Sequence, residues 1–100
     1  WLHQVDQMTT RDGYVYPALR ELPSEYFRRH VHLTFMDEAP GIRTARDRFG
    51  VGNLLWASDY PHPPTTFPNS RVRLAAQLDG LTDDERAAIS GANAARVWRL

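Results

Sequence analysis

Asn53-Leu54-Leu55-Trp56-Ala57-Ser58-Asp59-Tyr60-Pro61-His62-Pro63-Pro64 is an apolar run that ends on a carboxylate and a proline-rich tail. Leu54 to Ala57 is continuously apolar, the pattern of a strand buried on both faces in a parallel sheet. The spacing predicts a strand over 53–57. Three prolines in the four residues 61–64 fix φ and remove backbone donors, so the tail is a stiff, non-helical loop. Asp59 therefore stands where a buried strand opens into a rim.

Upstream, Val31, Leu33, Thr34 and Phe35 favour extended backbone and predict a first strand over 31–35. Pro40 suits the first turn of a helix, where a missing N–H costs nothing. Ile42, Ala45 and Phe49 share one face at i, i+3 and i+7, and Gly50 is a natural stop. A connection of roughly twenty residues with a helix inside it makes the two strands parallel and the crossover right-handed. Two parallel strands leave both faces and both edges uncovered, so the pattern predicts part of a larger α/β fold. The chain opens on Trp1 rather than Met, which likewise predicts further sequence upstream.

Earlier still, Trp1, Leu2, Val5 and Met8 have the spacing of a helix that Asp12-Gly13 ends. Tyr14 to Leu22 reads as loop with a short turn. Pro23-Ser24-Glu25 is a helix start, so 25–29 forms about one turn. Downstream everything is helical. Asn69 or Ser70 can cap a helix running to about Asp79, with Val72, Leu74, Ala75 and Leu78 as its apolar stripe. Gly80 ends it. Thr82-Asp83-Asp84-Glu85 is a capping box for the next helix. Gly91 interrupts that helix, Asn93 caps a last one, and Val97, Trp98 and Leu100 are its apolar anchors.

Composition sets outer bounds. The chain has 100 residues, enough for one small domain, with 42% hydrophobic and 24% charged residues. Twelve basic and twelve acidic side chains cancel, which argues against a nucleic-acid or anionic-membrane surface. No cysteine is present, so disulfides and thiolate metal sites are excluded, and a reducing cytoplasm is the expected location. No apolar run approaches the ~20 residues of a membrane helix.

A carboxylate at the mouth of a buried strand is expected to be poorly solvated by its neighbours. It needs a cation or strong donors to stay ionised. A divalent metal meets that need, since hard cations favour oxygen ligands. The plainer reading of Asp59 is a turn former after a strand.

The chain from Leu22 to Leu100 resembles the C-terminal region of the amidohydrolase superfamily, in its amidohydrolase-related group of hydrolases and decarboxylases. The matching pieces are Pro23-Ser24-Glu25-Tyr26-Phe27-Arg28-Arg29, Thr34-Phe35, Leu54-Leu55-Trp56-Ala57-Ser58-Asp59-Tyr60-Pro61-His62-Pro63 and Ile89-Ser90-Gly91-Ala92-Asn93-Ala94-Ala95-Arg96-Val97. The resemblance implies an α/β fold, the C-terminal portion of a metal-dependent (β/α)8 barrel, across residues 1–100. Strands 31–35 and 53–57 would be barrel strands seven and eight, followed by C-terminal helices. It implies that Asp59 is both metal ligand and catalytic proton acceptor from metal-bound water, the ion being zinc or manganese. The implied reaction is hydrolysis of an amide, ester or lactone. The alternatives are decarboxylation of a small aromatic or unsaturated acid, with Asp59 orienting the substrate, and a non-catalytic remnant. The implied partner is a small-molecule substrate, with homo-oligomerisation open.

The chain departs from the family in lacking the His-x-His of the first strand and the histidines of the middle strands. A catalytic metal takes about three protein ligands, so this chain alone is expected to be inactive. His30-Val31-His32 could place two imidazoles on one strand face. It lies at the wrong end of its strand for the family's site and reads as a surface or packing pair. His62 could bind substrate, hydrogen-bond Asp59 or serve only the loop. Trp56 reads as core, Ser58 and Tyr60 as loop-orienting residues, and Arg71 and Arg73 as a solvated face.

Overall fold

The computed structural model describes residues 1–13 and 19–100. Of the loop expected over 14–22, residues 14–18 lie outside the described residues, and 19–22 are irregular as expected. The chain divides into two compact units, Trp1–Val31 and His32–Leu100.

The first unit is a pair of helices, α1 (Leu2–Arg11) and α2 (Pro23–His30), packed on each other. The start of α2 shows how a helix without its own cap is completed. Leu22 occupies the N-cap and has no side-chain acceptor, and Pro23 fills the first turn. The orphan N–H of buried Ser24 donates instead to Asp6 Oδ1 of α1 at 2.9 Å. The Ser24 side chain, then its backbone N–H, hold the Asp6 carboxyl below its ordinary range. Because the folded value is depressed, this contribution is present above the unfolded carboxylate range and is lost as pH falls through the folded one. NMR titration should show the Ser24 amide following a depressed Asp6 midpoint, and Asp6→Ala should abolish the transition.

The second unit is a β-α-β crossover closed by C-terminal helices. Strands β1 (Leu33–Phe35) and β2 (Leu54–Trp56) are parallel, with Leu33 opposite Leu54, Thr34 opposite Leu55 and Phe35 opposite Trp56. Both are shorter than the sequence predicts. Val31 closes the last turn of α2 by donating to Phe27 O, so it cannot start a strand. His30 is the last residue of α2, and the His30/His32 pair is therefore not on one strand face. Ala57 still donates to Phe35 O at 3.0 Å, which carries the ladder one residue beyond β2.

Between the strands runs α3 (Ala39–Phe49), with Ile42 buried and Ala45 and Phe49 half-buried as their spacing predicts. Gly50 ends it at φ 87°, a left-handed conformation that costs only glycine nothing. A short 3₁₀ turn, Val51–Asn53, then leads into β2. The core is Ile42, Leu54, Leu78, Leu81 and Ile89, with Leu33, Phe35, Val51, Trp56 and Leu74 packed against it.

Helix α4 (Ser70–Gln77) departs from its expected stripe. Leu74 and Leu78 face inward, but Val72 is 73% exposed and Ala75 is also exposed. The inward face is Leu74, Gln77 and Leu78, at i, i+3 and i+4, because Gln77 finds hydrogen-bond partners there. Asn69 holds the N-cap position without a side-chain bond, and the Ser70 hydroxyl pairs with Thr66 Oγ1 at 2.9 Å. Gly80 takes φ 76° in the turn that follows.

The capping box forms in full: Glu85 N–H donates to Thr82 Oγ1 at 3.3 Å and Thr82 N–H to Glu85 Oε2 at 3.0 Å. It starts α5 (Asp83–Ala87), which continues without a break through a π-turn (Ala88–Ala92) into α6 (Asn93–Trp98). Gly91 therefore does not interrupt the helix. Asn93 is not a cap either. Its backbone is helical and its buried Nδ2 donates to Val51 O and Leu54 O, each at 2.9 Å. The π-turn shifts the helix register where this side chain enters the strand. Replacing Asn93 by Leu removes its donor from the buried Leu54 O and from Val51 O, which keeps the Leu54 N–H, an expected loss of about 2 kcal/mol in urea unfolding. The expected anchors also differ: Trp98 is 61% and Leu100 91% exposed, and only Val97 is half-buried. Among the described residues, no helix is long and apolar enough to cross a membrane.

Candidate functional site

β2 delivers Ala57, Ser58 and Asp59 to the C-terminal end of the two-stranded sheet. Asp59 sits at φ 59°, the left-handed region that Asp and Asn enter more readily than other side chains. The turn it makes is closed by His62 N–H donating to Asp59 O at 2.8 Å. That turn brings the His62 ring over its own start, with Nδ1 3.2 Å from Asp59 Oδ2. The Asp59 side chain is 52% exposed and that of His62 66%. The expectation of a poorly solvated carboxylate thus differs from what this chain shows: its own residues leave Asp59 open to water, with His62 beside it.

Side chains that the sequence reading passed over fix the rest of the loop. Ser58 O accepts from Thr65 Oγ1 at 2.7 Å and from Thr66 N–H at 3.1 Å. Thr65 N–H donates to His62 O at 3.0 Å, and Phe67 N–H donates to Thr65 Oγ1 at 3.1 Å. Thr66 is buried at 2% exposure, held by Ser70. The Tyr60 and Phe67 rings meet at 4.8 Å between centroids, tilted by 56°. Ser58 and Tyr60 therefore do shape the loop, Ser58 chiefly through its carbonyl. The tendency of threonine to bond nearby backbone was the available signal for Thr65 and Thr66.

The exit of β1 is fixed just as closely. Met36 O accepts both the Trp56 indole N–H at 3.1 Å and Gln77 Nε2 at 3.0 Å. Gln77 Oε1 accepts from Glu38 N–H at 3.0 Å, and Glu38 Oε2 accepts from Met36 N–H at 2.8 Å. Arg73, expected on a solvated face, donates to Asp37 Oδ2 at 2.6 Å; Arg71 is exposed. Trp56 packs on the core as expected and adds its indole bond. The sequence signal for Gln77 was a lone amide breaking an apolar stripe.

Asp59 and His62 supply one oxygen and one nitrogen donor of the kinds that zinc and manganese accept. Among the described residues, no group of three or more His, Cys, Asp or Glu comes together. The donor chemistry fits a divalent ion, while the number of donors falls short of the three that a catalytic metal needs. An apolar cleft of about 300 Å³ also opens in this unit, lined by Leu33, Phe35, Ile42, Ala45 and Leu54. It lies against the sheet and α3 and does not include Asp59.

A family model described as amidohydrolase matches residues 7–100. No curated protein matches the chain. Among solved structures, the crystal structure of 5-carboxyvanillate decarboxylase from Sphingomonas paucimobilis is similar, with 28% identity and a TM-score of 0.80. The match covers 100% of this chain and 30% of that one.

Proposed function

The chain belongs to the amidohydrolase family, and from that premise we propose that it is the C-terminal part of a metal-dependent decarboxylase of a small aromatic or unsaturated carboxylic acid. The observation that carries the choice of reaction is the likeness over the whole chain to a 5-carboxyvanillate decarboxylase at 28% identity. The expected hydrolase has the family description in its support, and the decarboxylase has a solved relative as well. In this reading β1 and β2 are the last two strands of a (β/α)8 barrel. Active sites of that fold are built at the C-terminal ends of the strands, and Asp59 stands at that end.

Asp59 would contribute one carboxylate oxygen to a divalent ion, zinc or manganese, and the remaining ligands would come from sequence outside these 100 residues. The ion, when bound, supplies positive charge that holds and polarises an anionic substrate. The chain's own residues do the positioning. The left-handed residue Asp59 turns the chain at the end of β2, and His62 Nδ1 lies 3.2 Å from its Oδ2. His62 is exposed enough to meet a substrate carboxylate as well. In a hydrolase the same Asp59 would take a proton from water.

The test uses the complete polypeptide, loaded in turn with zinc and manganese. It is assayed for CO₂ release from a panel of hydroxylated benzoates and for hydrolysis of esters and lactones. CO₂ release without hydrolysis is the expected result. Hydrolysis alone would move the assignment to the hydrolase, and neither activity in the metal-loaded protein would reject an enzyme of this kind.

A further inference from the structure

The loop that carries Asp59 is pinned at both ends to one short segment, residues 36–38 at the exit of β1. On its N-terminal side, Trp56, three residues before Asp59, donates its indole N–H to Met36 O. On its C-terminal side, α4 returns Gln77 to the same carbonyl and to Glu38 N–H, and Arg73 to Asp37. Gln77 is buried at 6% exposure and uses both ends of its amide. A buried amide placed on an otherwise apolar face is costly unless satisfied, so its partners decide where α4 can sit. Apolar packing of Leu74 and Leu78 would allow α4 to slide; two directional bonds to a strand exit do not.

We propose that Gln77 is a positioning residue for Asp59, fixing the far end of the 57–69 loop against the exit of β1. This rests on the reading of Asp59 as the residue at the reaction centre. Gln77 touches neither Asp59 nor His62 in the bonds it makes, and it acts through α4 and the loop closure that Thr65 and Thr66 complete. Groups that hydrogen-bond a metal ligand directly are typically worth about 10–100-fold in affinity or activity, and Gln77, which acts through α4, is expected at the lower end of that range.

The experiment compares Gln77→Met with the unaltered complete polypeptide, since Met keeps the length and removes both bonds. Amide exchange of the loop, including Thr65, Thr66 and Phe67, should accelerate at least about tenfold, while exchange in 83–98 stays unchanged. In the same protein well below its melting transition, kcat should fall about tenfold or more, and Gln77→Glu should recover part of it only where its carboxyl is protonated and can again donate to Met36 O while accepting from Glu38 N–H. Unchanged loop exchange, or acceleration spread evenly over the second unit, would overturn the clamp. Local acceleration with full turnover would overturn its role in positioning. Asp59→Asn run in parallel separates the two ideas: wild-type turnover there rejects the Asp59 reading, while the exchange result still judges the clamp.

Discussion

Asp59→Asn in the complete polypeptide should lower turnover by about 10²-fold or more while leaving the thermal midpoint nearly unchanged. Asn is the informative replacement because it also tolerates the left-handed backbone found at φ 59°. The change therefore removes the charge and one oxygen without straining the turn. The side chain is half exposed and its neighbour His62 more so, and surface pairs of that kind contribute little to stability. A structural turn former would behave in the opposite way, since Asn preserves the turn and activity would survive. Steady-state assays with a melting curve on the same preparation separate the two.

Leu54→Ala should be the most destabilising single truncation in the second unit, at about 3–5 kcal/mol. Leu54 is 1% exposed, starts β2 opposite Leu33, and lies in the same cluster as Ile42, Leu78, Leu81 and Ile89. Its carbonyl also receives Asn93, so the backbone there cannot easily collapse into the space left behind. Against a typical total of 5–15 kcal/mol, this loss is large. Val72→Ala on the 73% exposed face of α4 should change stability by less than about 0.5 kcal/mol and serves as the control. Urea unfolding followed by circular dichroism reads both. A loss below about 1 kcal/mol for Leu54→Ala would contradict the core described here.

Elements specified by local chemistry were readable from the sequence alone. The capping box at Thr82, the stop at Gly50, the Ile42–Ala45–Phe49 face and the buried run before Asp59 all depend on neighbours within a few residues. Elements specified by distant partners were not. Asn93 reads locally as a cap, yet its side chain is taken by carbonyls some forty residues earlier. Gly91 reads as a breaker, yet the continuous helix widens into a π-turn and passes through it. Gln77 is a lone amide within an apolar stripe, and only the fold shows that Met36 and Glu38 meet it. The candidate site divides in the same way. Asp59 and His62 announce themselves by type and spacing, whereas the threonines and the glutamine that hold their loop give only weak local signals, and their partners emerge from the fold.

The family of the chain follows from a match over residues 7–100, and the role of Asp59 is the claim on which the functional reading depends. A crystal structure of the complete polypeptide soaked with zinc, with anomalous data at the metal edge, addresses it directly. The account predicts a metal peak with an Asp59 carboxylate oxygen about 2.0–2.2 Å away, the distance of a zinc–carboxylate bond. A fully occupied metal held by other residues, with Asp59 still turned to His62 and out of bonding range, would contradict it.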